Sequence, residues 1–310
     1  MRNIRENIWL FLKGVAMGSA DVVPGVSGGT IAFITGIYAE LLRSIKAVDA
    51  RAVQLLFQWR WPTLWRKVNG SFLVVLIAGI VTAVASLARL VLYLLTHHPI
   101  LLWSFFFGLI LASSWVVGKR INRWNYLTVL MGLLGVGIAY FVTIATPAAT
   151  PNALWFIFLS GALAICAMIL PGISGSFILV LLSKYEYILQ AVKSFRIEVV
   201  FTFIVGCLVG IIAFSRVLSY LLQHYFNLTI ALLAGFMLGS LNKVYPWKRV
   251  LEVDKKGKPL FTENVLPQTY TASTGEEAYV VWAILLAILG FVIVYVMERA
   301  SQQPSKKETV

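Results

Sequence analysis

Two short motifs in this chain have the residue types and spacing to hold an anion. Pro24-Gly25-Val26-Ser27-Gly28-Gly29-Thr30 recurs 147 residues later as Pro171-Gly172-Ile173-Ser174-Gly175-Ser176. A proline stops an incoming helix, and the glycine after it permits a sharp turn. Ser27 and Ser174 are then good N-caps for an outgoing helix. Gly28, Gly29 and Gly175 leave the first amides uncovered, and exposed N–H groups at a helix start attract negative charge. Two arginines, Arg89 and Arg216, lie well inside apolar runs. A guanidinium at such depth is costly and suits a phosphate, whose oxygens it can bond in pairs. Asp21, three residues before Pro24, has Met168 as its repeat partner. A carboxylate there is a candidate to carry a coupling proton. The competing readings are plainer: a tight helix crossing for the motifs, snorkelling for the arginines, and a structural hydrogen bond for Asp21.

The elements that position these residues are membrane helices. Of 310 residues, 59% are hydrophobic and only 13% charged, too little charge to cover a soluble surface. Mean hydropathy is +0.84, and several apolar runs approach the roughly 20 residues that cross a bilayer. The alternating ten-residue segments of a membrane barrel are not seen. The net charge of +13 resides in short loops between apolar runs, which argues for membrane topology and against nucleic acid. Cys166 and Cys207 lie inside apolar runs and read as small core residues. His97, His98 and His224 fall at span ends, so no metal, no cofactor and no catalytic residue is expected. Glu40 and Glu186 read as interfacial, and Trp103, Trp115, Trp124 and Trp247 as belt residues. The N-terminus imitates a signal peptide, but cleavage before Asp21 would remove half of a motif that recurs later, so it is expected to be retained.

Internal similarity sets the organisation. A shift of 147 also matches Gly14 to Gly161, Tyr38 to Tyr185, Leu42 to Leu189 and Lys46 to Lys193. A shift of 127 matches Gly79 to Gly206, Arg89 to Arg216, Tyr93 to Tyr220, His97 to His224, Gly108 to Gly235 and Ser113 to Ser240. A weaker match pairs Gly135 with Gly290 and Tyr140 with Tyr295. The expected fold is an all-α integral membrane protein of two repeats, 1–147 and 148–310. Each holds a re-entrant helical hairpin, about 8–42 and 155–190, whose tip is the Pro-Gly motif. Three spans follow each hairpin: 71–95, 100–117 and 126–146, then 199–222, 227–243 and 278–297. Three is odd, so the halves are inverted, and interrupted helices at matching places in inverted halves mark a transporter's site. The 20 residues by which the shifts differ lie in 43–69. Six basic residues there (Arg43, Lys46, Arg51, Arg60, Arg66, Lys67) face one acid, Asp49, with Trp59, Trp61 and Trp65 interleaved. That composition predicts an amphipathic cytoplasmic helix on the inner leaflet. The polar loop 244–277 is expected outside, and both termini inside, with Arg299, Lys306 and Lys307 at the C-terminal end. In this arrangement Arg89 lies towards the outer face and Arg216 towards the inner.

The run GVAMGSADVVPGVSGGTIAFITGIYAELLRSI, with the later AMILPGISGSFILVLLSKYEYIL, resembles the bacterial PopT family of polyprenyl-phosphate translocases, formerly a family of unknown function. The likeness covers nearly the whole chain. It implies a flippase of the bacterial inner membrane. Such a protein returns undecaprenyl phosphate from the outer to the inner leaflet for reuse in peptidoglycan and other envelope polymers. It carries over Asp21, Pro24, Gly25, Ser27, Gly28, Gly29 and Thr30, and in the second copy Pro171, Gly172, Ser174, Gly175 and Ser176. The expected partners are undecaprenyl phosphate, membrane lipids and protons; the sequence leaves a homodimer open.

A second likeness supplies the rival. Undecaprenyl-diphosphate phosphatases of membranes also use inverted halves, with a PG-x-SRS type loop. Here Gly28 and Gly175 stand where that loop has its arginine, and the E-x-x-x-E pair is missing. Hydrolysis then has neither a leaving-group clamp nor a base. A small-anion transporter is the other alternative.

Overall fold

The computed structural model describes residues 2–22, 26–253 and 259–302. Pro24, Gly25, Lys306 and Lys307 therefore lie outside the described residues. The chain opens with helix α1 (Ile4–Asp21). Asn3 starts it by accepting the Glu6 amide at 2.8 Å, while the Glu6 carboxylate accepts the Asn3 amide at 3.1 Å. After the first motif come two short helices, α2 (Gly28–Ile34) and α3 (Tyr38–Lys46). The sequence predicts a hairpin with one break; the outgoing arm is broken a second time, at Gly36, whose φ is +75°.

The basic insert folds as two helices rather than one, α4 (Ala50–Phe57) and α5 (Trp61–Lys67). Asp49 caps α4 and bonds Lys67 Nζ at 2.8 Å, tying the two ends of the insert together. Ala52 and Leu55 face inward, while Phe57, Trp59, Trp61 and Trp65 are exposed beside Arg51, Arg60 and Arg66. Exposed aromatics among cations suit an interfacial position.

Three long helices follow: α6 (Gly70–His97), α7 (Pro99–Gly118) and α8 (Tyr126–Ile144). The second half repeats the order with α9 (Leu154–Ile169), α10 (Gly175–Leu181), α11 (Tyr185–Lys193), α12 (Ile197–His224) and α13 (Phe226–Ser240). Between α10 and α11 the axis turns by 103°, at Ser183, whose φ is +53°. Ser183 is the position 147 residues after Gly36, so both outgoing arms bend at matching places.

Loop 244–277 is not shapeless. It holds an antiparallel ribbon of β1 (Lys248–Val253) and β2 (Pro259–Asn264), then α14 (Pro267–Thr274). Helix α15 (Val280–Gln302) ends the description. The ribbon was hidden because two six-residue strands with mixed charge look like an ordinary polar loop.

Among the described residues five helices, α6, α7, α8, α12 and α15, are long and apolar enough to cross a membrane. Their outward faces are apolar; Leu133 is 64% and Val281 69% exposed. The sixth expected span, α13, has 15 residues, about 22 Å at 1.5 Å per residue, short of a roughly 30 Å hydrocarbon layer. It is buried almost all round, so it is sheathed by protein and need not match the lipid thickness.

The same packing occurs twice. Helix α1 lies on α6 as α9 lies on α12, and α8 lies on α13 as α15 lies on α7. The repeated glycines sit at these crossings: a Cβ on Gly14 would meet the Gly79 backbone at 3.1 Å, and one on Gly135 would meet Gly235 at 3.1 Å. Small residues let membrane helices approach closely, since water does not drive them together.

Candidate functional site

The tips of the two hairpins touch. Ser27 caps α2, its Oγ accepting the Gly29 amide at 3.1 Å. The same hydroxyl shares its proton between the carbonyls of Met168 (3.1 Å) and Leu170 (3.2 Å) at the end of α9. Thr30, fully buried, accepts the Gly172 amide on Oγ1 at 3.1 Å. Tyr38, at the start of α3, donates its hydroxyl to the Ile169 carbonyl at 3.0 Å. Backbone freed by the second break is thus satisfied by side chains of the first, which lets irregular chain persist at membrane depth.

Two glycines are required here, one by the contact between the tips and one by its own backbone and the approach of α13. A Cβ on Gly29 would lie 2.6 Å from the Ile169 carbonyl oxygen. Gly172 has φ +85°, which L side chains rarely adopt, and a Cβ there would lie 2.9 Å from Met237 Cα.

The amides of the two breaks are used differently. At the first, Asp21 Oδ1 accepts the Gly28 amide at 2.7 Å, and Ser27 takes those of Gly29 and, through its carbonyl, Thr30. The bare amides expected there already carry the chain's own carboxylate. The reason is geometric: Asp21 ends α1 and folds back over the turn onto the start of α2. At the second break Met168 occupies the matching position, so α10 has no counterpart of the Asp21 carboxylate there. Ser174 is its N-cap residue and makes no side-chain cap bond; its Oγ bonds Ser176 Oγ at 2.8 Å. Pro171, Gly172, Ser174 and Gly175 are all buried, and Ser176 is half-buried. A small cavity of about 10 Å³ opens beside them, lined by Thr143, Gly172, Ser174, Phe177, Ser240 and Lys243.

A larger cleft of about 400 Å³ lies on the side of the first hairpin's second bend, lined by Phe33, Tyr38, Arg43, Arg120, Gln223 and Phe226 among others. The Arg120 guanidinium lies 4.9 Å from the Phe33 ring centre and donates to the Phe33 carbonyl at 3.4 Å. Arg89 and Arg216 are elsewhere. Both are exposed on the faces of α6 and α12, and neither lines these two cavities. Further along the same helices the repeat shows again: Tyr93 stacks on His97 at 4.3 Å, and Tyr220 on His224 at 4.2 Å.

Several polar residues at the hairpins gave no repeat signal. Lys184 is 1% exposed at the second bend of the second hairpin, and its Nζ bonds the Thr150 carbonyl at 2.8 Å and Asn152 Oδ1 at 2.7 Å. Lys13 bonds the Thr35 carbonyl at the corresponding bend of the first. One lysine approaches from the preceding helix and the other from the bend itself, so no alignment of the halves pairs them.

Residues 17–260 match the family model described as VCA0040-like, undecaprenyl phosphate translocase-like. The chain belongs to this family. It is 42% identical over 297 residues to a polyprenyl-phosphate transporter of Vibrio cholerae, covering 94% of this chain and 96% of the relative. It is 34% identical over 260 residues to a polyprenyl-phosphate transporter of Staphylococcus aureus, covering 77% and 86% respectively. No solved structure matches. Membership of this family places the chain among transporters, not enzymes, and the matched residues include both Pro-Gly motifs and, of the five helices long enough to cross a membrane, α6, α7, α8 and α12.

Proposed function

We propose that this chain returns a polyprenyl phosphate, specifically undecaprenyl phosphate, from the outer to the inner leaflet of the bacterial cytoplasmic membrane. The observation that carries the reading is the direct bonding of the two hairpin tips, Ser27 to Met168 and Leu170, and Thr30 to Gly172. A charged headgroup cannot cross hydrocarbon without replacing its hydration, and polar backbone at the tips supplies the replacement. The names of the relatives support the substrate. The doubled packing pattern supports two halves, 1–147 and 148–310; the basic loops support their inversion, with both termini cytoplasmic and the ribbon outside.

In this scheme Ser174, Gly175 and Ser176, which have no counterpart of Asp21, receive the phosphate first. Pro171 and Gly172 shape that turn, and Pro24 and Gly25 shape its counterpart, where Gly28, Gly29 and Thr30 take over the headgroup. Arg89 and Arg216 gather the headgroup at opposite faces from the helix surfaces. Asp21 occupies the amide that an incoming phosphate would need. Protonating it removes the negative charge that holds Gly28 and opens the first break to the headgroup. A proton bound at Asp21 is then the coupling ion. The isoprenoid tail remains in lipid throughout, since nothing apolar needs to leave the hydrocarbon.

The test is leaflet-specific labelling of undecaprenyl phosphate in vesicles holding the purified chain, with and without a pH gradient. Transfer that depends on the chain and accelerates with the gradient is the expected result. Transfer no faster than in empty vesicles would end the reading. Release of inorganic phosphate from undecaprenyl diphosphate would favour hydrolysis instead.

A further inference from the structure

Two lysines meet beside the second hairpin, and among the described residues no ion pair balances them. Lys243 lies in the turn after α13, its Nζ 4.4 Å from the centre of the Phe177 ring. Phe177 is the third residue of α10, one turn from Ser174. Lys248, the first residue of β1, donates from Nζ to the Lys243 carbonyl, and its charge lies 5.2 Å from the centre of the Trp103 ring. Among the described residues no carboxylate forms an ion pair with either one. Burial pushes both ammonium groups below their ordinary range; Lys248 falls to about 7, with the charge of Lys243 adding to the effect.

Holding two cations together and partly out of water is costly, since they repel each other and lose hydration. The cost is relieved when an anion arrives between them. Ring faces and a carbonyl soften the charge but neutralise none of it. Arg120 makes a useful contrast. It lies over Phe33 of the first hairpin in a similar way, yet the charge of Glu298 acts on it in the direction that keeps it ionised.

We propose that Lys243 and Lys248, with the Ser174 hydroxyl, form a selective binding site for a phosphate monoester at the head of the second hairpin. The inference rests on the transporter reading above and names the groups that choose its substrate. A monoester at neutral pH carries up to two charges on three terminal oxygens. The diester of a bilayer phospholipid carries one charge and offers two unesterified oxygens. Two ammonium groups and a hydroxyl match the first inventory and are only half used by the second. The site thereby separates a rare polyprenyl phosphate from the surrounding phospholipid. The cavity of about 10 Å³ beside Lys243 and Ser174 has room for about one water molecule. Admitting a phosphate therefore requires this cavity to widen.

The full-length chain in nanodiscs tests this with three probes, undecaprenyl phosphate, phosphatidylglycerol and inorganic phosphate. Wild type should bind undecaprenyl phosphate saturably and show no saturable response to phosphatidylglycerol. K243Q/K248Q should weaken binding by at least about tenfold, while K243R/K248R retains it. The unliganded melting temperature of K243Q/K248Q should not fall, which separates lost binding from lost folding. Saturable binding of inorganic phosphate that disappears in the same variant supports the site as one for free phosphate as well. Unchanged affinity in K243Q/K248Q, or equal binding of phosphatidylglycerol by wild type, overturns the proposal. If wild type binds inorganic phosphate through these lysines but never moves the lipid, the transporter reading fails and the anion site survives.

Discussion

Ser27 Oγ lies 3.1 Å from the carbonyl oxygen of Met168, a residue 141 positions further along the chain. One hydroxyl caps the outgoing helix of the first hairpin and closes the incoming helix of the second. S27A should strand the Gly29 amide and two carbonyls together. The expected loss is about 1–3 kcal/mol of stability, read as a lower melting temperature in detergent, with transport reduced further than folding. A melting curve and transfer rate matching wild type would detach the two tips from function.

Gly172 combines a left-handed backbone with close contact to α13, and Gly275 has a similar φ of +73° with open space around it. G275A should cost about 1–2 kcal/mol from backbone strain alone. G172A should cost more, since Met237 and Phe236 must also shift. Equal losses for the two variants would show that the contact with α13 is loose.

Asp21→Asn keeps an oxygen that can accept the Gly28 amide but cannot take up a proton in the working range. The variant should fold normally, and its transfer rate should no longer respond to an imposed pH gradient. Asp21→Ala removes the acceptor as well and should also lower the melting temperature, by the roughly 1 kcal/mol typical of a lost cap. A gradient response that persists in Asp21→Asn assigns the coupling proton elsewhere.

Lys248 is held at about 7 against an ordinary 10.5. Lys243 is the charged group facing it among the described residues, and it pushes in the same direction as burial. Between pH 7 and 10.5 the unfolded chain binds this proton while the folded chain has released it. Stability should therefore rise with pH across that window, and the destabilisation is fully present below pH 7. The difference in melting temperature between wild type and K248M should climb from pH 7 to pH 10. A flat difference would mean that Lys248 is solvated.

The membrane class, the two motifs and most span positions were legible in the sequence, because apolar runs, Pro-Gly breaks and repeated glycines act locally. The glycine register was informative for a physical reason: Gly14, Gly79, Gly135 and Gly235 are where backbones touch. The second bend in each hairpin was not legible. Gly36 is an ordinary bend signal, but Ser183 adopts φ +53° with no glycine to announce it. The capping expected of the two serines is seen at Ser27, whose Oγ accepts the Gly29 amide, and not at Ser174, whose hydroxyl turns to Ser176. A structural hydrogen bond is one of the two readings for Asp21; that its partner is the Gly28 amide at the first break depends on how α1 sits against the start of α2. Lys248 was hidden because it belongs to a loop whose folding into a ribbon brings it back towards the hairpin, and Lys243 because it reads as the polar end of a span.

The third spans are exchanged: α8 of the first half packs on α13 of the second, and α15 of the second packs on α7 of the first. The two halves are interlocked like a clasp, so they cannot rock apart as independent blocks. What the contacts leave free to shear is each hairpin with its long partner, α1–α3 with α6 and α9–α11 with α12, against the pairs α8–α13 and α7–α15, which α13 joins by packing on α7. Disulfide staples between α8 and α13 should then be tolerated during turnover, whereas a staple joining α2 to α9 should arrest it.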